Sequence, residues 1–382
     1  MQEKEILRKN KPKAAFFVKG KMDLTFFFLV LGILTTGLVM LFSASAPYAL
    51  TYEGNSYHFI TRQLIFALIG LVAMYIISRV NYHWFKNLAW PIFIAALIML
   101  VGVLFLPEVV PGFKRWLAIG PITFQPSEVA KFALILILAY YMSRHNERMK
   151  ETKFIFKMMG LIAVVCGLVI AEKHLSATIL VFVIGMVLLF VGGMKLRFIA
   201  GLVGVGAAGG IVAILTGLIG YGGDRIQYWL HPWDDPLGKG FQTIQSLLAI
   251  GSGGVMGQGI GESKQKYLWV PEPQNDFIFS IVCEELGLIG ALLIIAAFAL
   301  LFWRGFVIAL SSPDKFGAYL SIGLSFQVAL QAALNILVVT NTIPNTGISL
   351  PFFSYGGTSL VMLLFQMGII LSVSRQSNLQ KK

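Results

Sequence analysis

The sequence predicts an all-α polytopic membrane protein, a bundle of about ten transmembrane helices with a large extracellular loop between helices 7 and 8. Three observations carry this. Of the 382 residues, 57% are hydrophobic and only 13% are charged, the mean hydropathy is +0.78, and apolar runs of membrane-crossing length recur along the chain. The runs fall at 24–46, 60–78, 84–106, 127–144, 154–171, 175–192, 196–220, 276–303, 318–340 and 356–374.

The chain divides into a basic tail (1–23), a transmembrane domain (24–375, with the extracellular loop at 221–275) and a short second tail (376–382). The first tail carries Lys4, Arg8, Lys9, Lys11, Lys13, Lys19 and Lys21. The apolar run that follows has no small-residue cleavage signal, so it reads as an anchor and not a removed leader. Arg79 and Lys86, then Arg144, Arg148, Lys150, Lys153 and Lys157, then Lys195 and Arg197, then Arg304 and Lys315, and finally Arg375, Lys381 and Lys382 mark alternate connections. Positively charged loops stay inside, so both termini are expected in the cytoplasm. The net charge of +12 then has its explanation in topology and anionic headgroups, and nucleic acid is not expected as a partner.

Cys166 and Cys283 lie within spans, where cysteine acts as a small hydrophobe. They form neither a disulfide framework nor a metal motif. The five histidines, at 58, 83, 145, 174 and 231, lack metal-ligand spacing, and no Walker sequence is present.

Most connections are short, and two outer segments depart from that. The first, 107–131, is rich in Gly and Pro yet carries Phe113, Trp116, Ile119, Ile122 and Phe124, and is expected as a re-entrant or interfacial element. The second, 221–275, holds Tyr228, Trp229, Trp233, Tyr267 and Trp269, which argue against disorder. Within it, 241–261 begins with helical spacing, Gln242 and Gln245 on one face, and ends in glycines that suit either close ligand approach or a hinge.

Asp276, in "PEPQNDFIFS" (271–280), stands where this loop meets the eighth span. It reads either as a helix cap or as a partly desolvated carboxylate able to act as a base. Glu284 and Glu285 lie two turns deeper. Charges inside a span must pair, face the interior or line a pathway, so they read as a structural ion pair with a basic residue or as a proton route. Lys114, Arg115, Gln125, Ser127, Glu128 and Lys131 gather before and at the start of the fourth span, where cations suit phosphate oxygens. Glu128 and Lys131 are also spaced i, i+3 for mutual pairing. "PNTGISLPFFSYGGTSL" (344–360), with Ser354, forms a turn into the last span.

Four stretches together resemble the SEDS family (shape, elongation, division and sporulation proteins, which include FtsW and RodA): "LFSASAPYA" (41–49), "KRWLAIGPITFQPSEVAKFAL" (114–134), 224–290, and "NTGISLPFFSYGGTSLV" (345–361). "PEPQNDFIF" and "GISLPFFSYGGTSL" look more like the FtsW branch. The resemblance implies a peptidoglycan glycosyltransferase that polymerises lipid II at the outer face of the cytoplasmic membrane. It implies a class B penicillin-binding protein as partner, with other division or elongation proteins. By motif match Asp276 takes the place of the family's essential aspartate, and Arg115 and Lys131 fall where the family has important basic residues. Lys114, Gln125, Ser127, Glu128, Gln242, Gln245, Ser263, Gln265 and Ser354 complete the expected substrate-binding set. No cofactor is expected to stay bound, and a divalent cation, Mg or Mn, is the candidate helper for the leaving group. A lipid II flippase is the alternative reading. One departure stands out: many relatives have a "PDLGT"-like sequence at the sixth span, and this chain reads "EKHLSAT" (172–178), leaving His174 or Glu172 to replace that acid.

Overall fold

The computed structural model describes residues 16–18, 20–107, 114–120, 122–196, 198, 201, 226–267 and 269–377. Its helices are α1 (Leu24–Glu53), α2 (His58–Arg79), α3 (His83–Phe105), α4 (Pro126–Arg144), α5 (Thr152–Ala171), α6 (Leu175–Val191), α7 (Phe241–Gly253), α8 (Ile278–Leu310), α9 (Lys315–Val339) and α10 (Gly357–Gln376). Seven of these (α1, α2, α3, α5, α8, α9 and α10) are long and apolar enough to cross a membrane. The shorter α6 and the charge-bearing α4 occupy the positions of two further expected spans. The seventh expected span, 196–220, lies almost wholly outside the described residues.

Local chemistry sets several boundaries. Asp23 caps α1, its carboxylate accepting from the Phe26 amide at 2.8 Å, and Arg304 of α8 pairs with the same carboxylate at 2.7 Å. At 30 residues, α1 is about 45 Å long and so extends past the roughly 30 Å hydrocarbon layer. Pro126 opens α4 at a position where no intrahelical donor is needed.

The centre of the bundle is α4, in which every residue from Ala130 to Ala139 is buried. It packs against α3, α6 and α9. By contrast less than a third of the most apolar stretch of α2, α3 and α8 is buried, and their uncovered faces are those expected towards lipid. The most extensive pairing joins α2 to α10, with Gly368 set so close to the Met74 backbone that a β-carbon would meet it at 2.7 Å. At the end of the bundle that carries the N-terminal segment, Phe17 bridges to Val80 and the Val18 amide donates to the Arg79 carbonyl.

Within 107–131, the segment expected as a re-entrant or interfacial element, lies a two-stranded antiparallel pair, β1 (Leu117–Ile119) and β2 (Ile122–Phe124), seated on the start of α10 where Thr358 donates to the Thr123 carbonyl. The element that packs along α8 is α7 with the glycine turn after it. Its 13 residues span about 20 Å, and the turn meets α8 at Gly287, roughly 14 Å along that helix.

There α8 is broken: Gly287 has φ 67° and ψ −169°, outside the helical region. The break frees two carbonyls and two amides at a depth where water is scarce, and the turn satisfies all four. The Gln258 and Gly259 amides donate to the Glu284 and Glu285 carbonyls at 2.9 and 3.0 Å. The Leu288 and Ile289 amides donate to the Gly254 and Val255 carbonyls at 2.9 and 3.2 Å. Gly253 and Gly257 thus allow backbone to meet backbone, where the sequence suggested a ligand or a hinge.

A β-carbon on Gly287 would collide with the Gly257 amide nitrogen, whereas one on Gly251 meets nothing within 4 Å. Gly287→Ala is therefore expected to lower the melting temperature of the detergent-purified protein, by about 1–3 kcal/mol of stability. Gly251→Ala should be neutral or slightly stabilising; equal melting of the two variants would contradict the docked turn.

Candidate active site at the loop end of the bundle

Asp276 lies in the turn that leads into α8. The N-cap of that helix is Phe277, and no side chain caps it, so Asp276 is not the cap residue. It is half-buried, and it is positioned from behind by its own backbone: Asn335 of α9 donates its amide N–H to the Asp276 carbonyl at 2.7 Å and to the Ile348 carbonyl at 2.6 Å. The Asp276 Oδ2 faces Gly347, whose φ is +67° and where a β-carbon would lie 3.1 Å from it.

Residues 344–356 wrap this turn. Ser354 Oγ donates to the Asn275 carbonyl and accepts from the Leu350 amide, both at 2.8 Å, and the Tyr355 amide donates to the Gln274 carbonyl at 2.8 Å. Gln63 of α2 closes the far side, donating to the Ser354 carbonyl and accepting from the Gly356 amide. On the near side, Ser176 at the start of α6 donates to the Thr346 carbonyl, and Asn345 donates to Gln242 Oε1 of α7 at 3.2 Å. Gln245, one turn on, is buried.

Lys131 is 3% exposed, and holds Glu128 at 2.8 Å and Gln331 Oε1 at 3.1 Å. Gln331 in turn donates to the carbonyl and hydroxyl of Ser349. Gln331 and Asn335 are four residues apart on α9, so one helix face ties Lys131 and Asp276 to the same 348–349 backbone. Neither amide was expected at the site. Two carboxamides at i, i+4 inside an apolar span were the available signal, since such groups are costly there unless partnered. A small cleft opens here, lined by Gln331, Ser349, Ser354, Gly356 and Ser359 among others.

The other expected residues divide into groups. Arg115 donates to the Lys173 carbonyl in the turn between α5 and α6. Gln125 meets His174 Nδ1 at 3.3 Å in the same turn. Lys114 is exposed and donates to the Leu104 carbonyl. Ser127 is fully buried, its hydroxyl without a hydrogen-bond partner among the described residues. Ser263 and Gln265 are not brought to Asp276: Ser263 Oγ donates to Glu284 Oε2 at 2.5 Å, and the Lys264 and Gln265 amides also donate to that carboxylate.

Glu285 takes the ion-pair role, accepting from Lys266 Nζ at 2.9 Å and Ser43 Oγ at 2.7 Å, all three side chains being buried. Glu172 is also buried. Burial pushes its carboxyl up to about 8, with the Arg115 guanidinium opposing the shift. Among the described residues no three His, Cys, Asp or Glu converge to hold a metal.

Residues 23–379 match the FtsW/RodA/SpoVE family, described as cell cycle proteins. The stage V sporulation protein E of Bacillus subtilis is 39% identical over 362 residues, 94% of this chain and 98% of that protein. The probable peptidoglycan glycosyltransferase FtsW of Geobacter metallireducens is 37% identical, covering 93% and 95%. A solved chain from a peptidoglycan synthase complex superposes with a TM-score of 0.76 at 30% identity, covering 93% and 98%.

Two measurements test the buried charges. Lys266→Met strands a buried carboxylate and should cost about 3–5 kcal/mol, while Lys266→Met with Glu285→Gln should recover most of it; additive losses would remove the pair. The folded protein keeps the Glu172 proton to about pH 8, against 4.5 for an ordinary glutamate. Its contribution to stability is therefore complete below the lower value and is lost as pH rises to the higher one. Glu172→Gln should flatten the fall in melting temperature across that window.

Proposed function

Because the chain belongs to the FtsW/RodA/SpoVE family of cell cycle proteins, we propose that it is a peptidoglycan glycosyltransferase polymerising lipid II at the outer face of the cytoplasmic membrane. The observation that carries the reading is Asp276: a half-buried carboxylate at the loop end, its backbone fixed by Asn335 and its side chain beside Gly347. The basic residues of the tails and the alternate connections support an orientation with both termini inside and Asp276 outside.

In the proposed reaction Asp276 accepts the proton of the acceptor sugar's 4-hydroxyl as that oxygen bonds to the donor's anomeric carbon. The bond from that carbon to the pyrophosphate oxygen breaks, undecaprenyl pyrophosphate departs, and direct displacement inverts the anomeric centre. Arg115 and Lys131 offset the charge that develops on the leaving group. Neutralising Lys131 with Glu128 alone would leave little charge for that purpose, so the bond to Gln331 matters: it lets the ammonium keep its position while Glu128 exchanges for a phosphate oxygen.

A class B penicillin-binding protein is the proposed partner, a reading supported by the likeness to a chain of a synthase complex. The alternative, a lipid II flippase using Glu284 and Glu285 as a proton route, has less support. Loop amides and Ser263 occupy Glu284, and Lys266 with Ser43 occupies Glu285.

Asp276→Asn should retain insertion and lipid II binding but lose about 10²–10⁴-fold in polymerisation rate when labelled lipid II is supplied to the outer face. Full activity in that variant would exclude Asp276 as the base. Tail translocation without glycan growth in the unsubstituted protein would favour the flippase.

A further inference from the structure

Glu172 has no part in the reaction above, yet among the described residues it is the carboxyl with both oxygens buried and neither meeting a hydrogen-bond donor. An ionised carboxylate in that state would be strongly disfavoured, so the side chain is held as the neutral acid. Its setting is tightly built. Glu172 ends α5, and Lys173 follows in a left-handed conformation with φ 57°. Arg115 donates to the Lys173 carbonyl, and His174 begins α6 against Gln125. Two residues further on, Ser176 holds the Thr346 carbonyl, next to the Gly347 that faces Asp276.

The charged group acting on Glu172 is Arg115, from the segment before β1; Lys173 and His174 stand on its own turn. A leucine or glutamine would fill the same space without a titratable proton. The acid therefore has a consequence that a filler lacks, because its proton decides whether a second charge stands beside Arg115.

We propose that Glu172 is a positioning residue that governs Arg115: protonated, it leaves the guanidinium's charge to an oxyanion of the substrate at the mouth, and on losing its proton it draws that charge to itself. This rests on the reading of Arg115 as facing the pyrophosphate. Balance is simple, since no bond other than O–H breaks and the proton goes to solvent. The high proton affinity that burial gives the group places the transition on the alkaline side of neutrality.

The test uses the full chain in lipid nanodiscs. Infrared titration should show a protonated-carboxyl band that bleaches between about pH 7 and pH 9, is absent in Glu172→Gln, and persists to higher pH in Arg115→Gln. Fluorescent undecaprenyl pyrophosphate should bind the unsubstituted protein about tenfold more weakly at the top of that window than at its foot, and Glu172→Gln about equally at both. Glu172→Gln is isosteric with the neutral acid, and its melting curve checks that it folds. Missing the band, or an identical pH dependence of binding in both proteins, overturns the proposal. A merely structural role would lower the melting temperature of the variant and leave its pH profile unchanged. Failure of either protein to bind the probe would overturn the phosphate reading of Arg115 and this proposal with it, whereas binding without pH dependence overturns this proposal alone.

Discussion

The constraint on which the site depends is the satisfaction of backbone groups in an apolar setting. Breaking α8 at Gly287 strands carbonyls and amides where lipid and side chains offer no partners. The glycine turn of 254–259 supplies them, in a four-bond exchange that Gly253, Gly257 and Gly287 permit, since a β-carbon on any of these would collide with the facing backbone. Because the turn is fixed, the returning chain is fixed too. Ser263 and the Lys264 and Gln265 amides settle on Glu284, Lys266 settles on Glu285, and the remaining residues deliver Asp276 to the head of the same helix. Glu284 and Glu285 are therefore costly groups made tolerable by the loop they hold.

A second framework approaches from the other side. On α9, Gln331 and Asn335 reach the 348–349 backbone, and through it they relate a buried lysine to a half-exposed aspartate. Segment 344–356 is the shared partner of α2, α6, α7, α9 and the Asp276 turn. Rigid amide contacts of this kind fix the backbone of Asp276, and a fixed position is what the proposed general base needs.

Much of this was legible in advance. Hydropathy fixed nine of the expected spans to within several residues, because a membrane helix must satisfy its backbone internally and so announces itself as an apolar run. Asp276 was marked by its place between a long loop and a span. Less was visible of Asn335, Gln331 and Ser354, whose importance lies in partners far away along the chain. The 107–131 and 241–261 segments show the limit clearly. Both read as Gly-rich and half-apolar, yet the hairpin lies in one and the turn docked on α8 in the other, and composition does not distinguish a glycine that bends a strand from one that admits a neighbouring backbone.

By itself, then, the sequence determined the helical class, the family's motifs, the uneven spread of basic charge and the identity of the acid at the loop end, since each depends on local composition or on residues adjacent in the chain. Tertiary structure decided the rest. It paired Glu285 with Lys266 and Ser43, gave Ser263 and Gln265 to Glu284, and set Arg115 beside a buried Glu172. Those outcomes follow from burial and from contacts across tens to hundreds of residues, and the proton affinity of a carboxyl depends on what surrounds it in space.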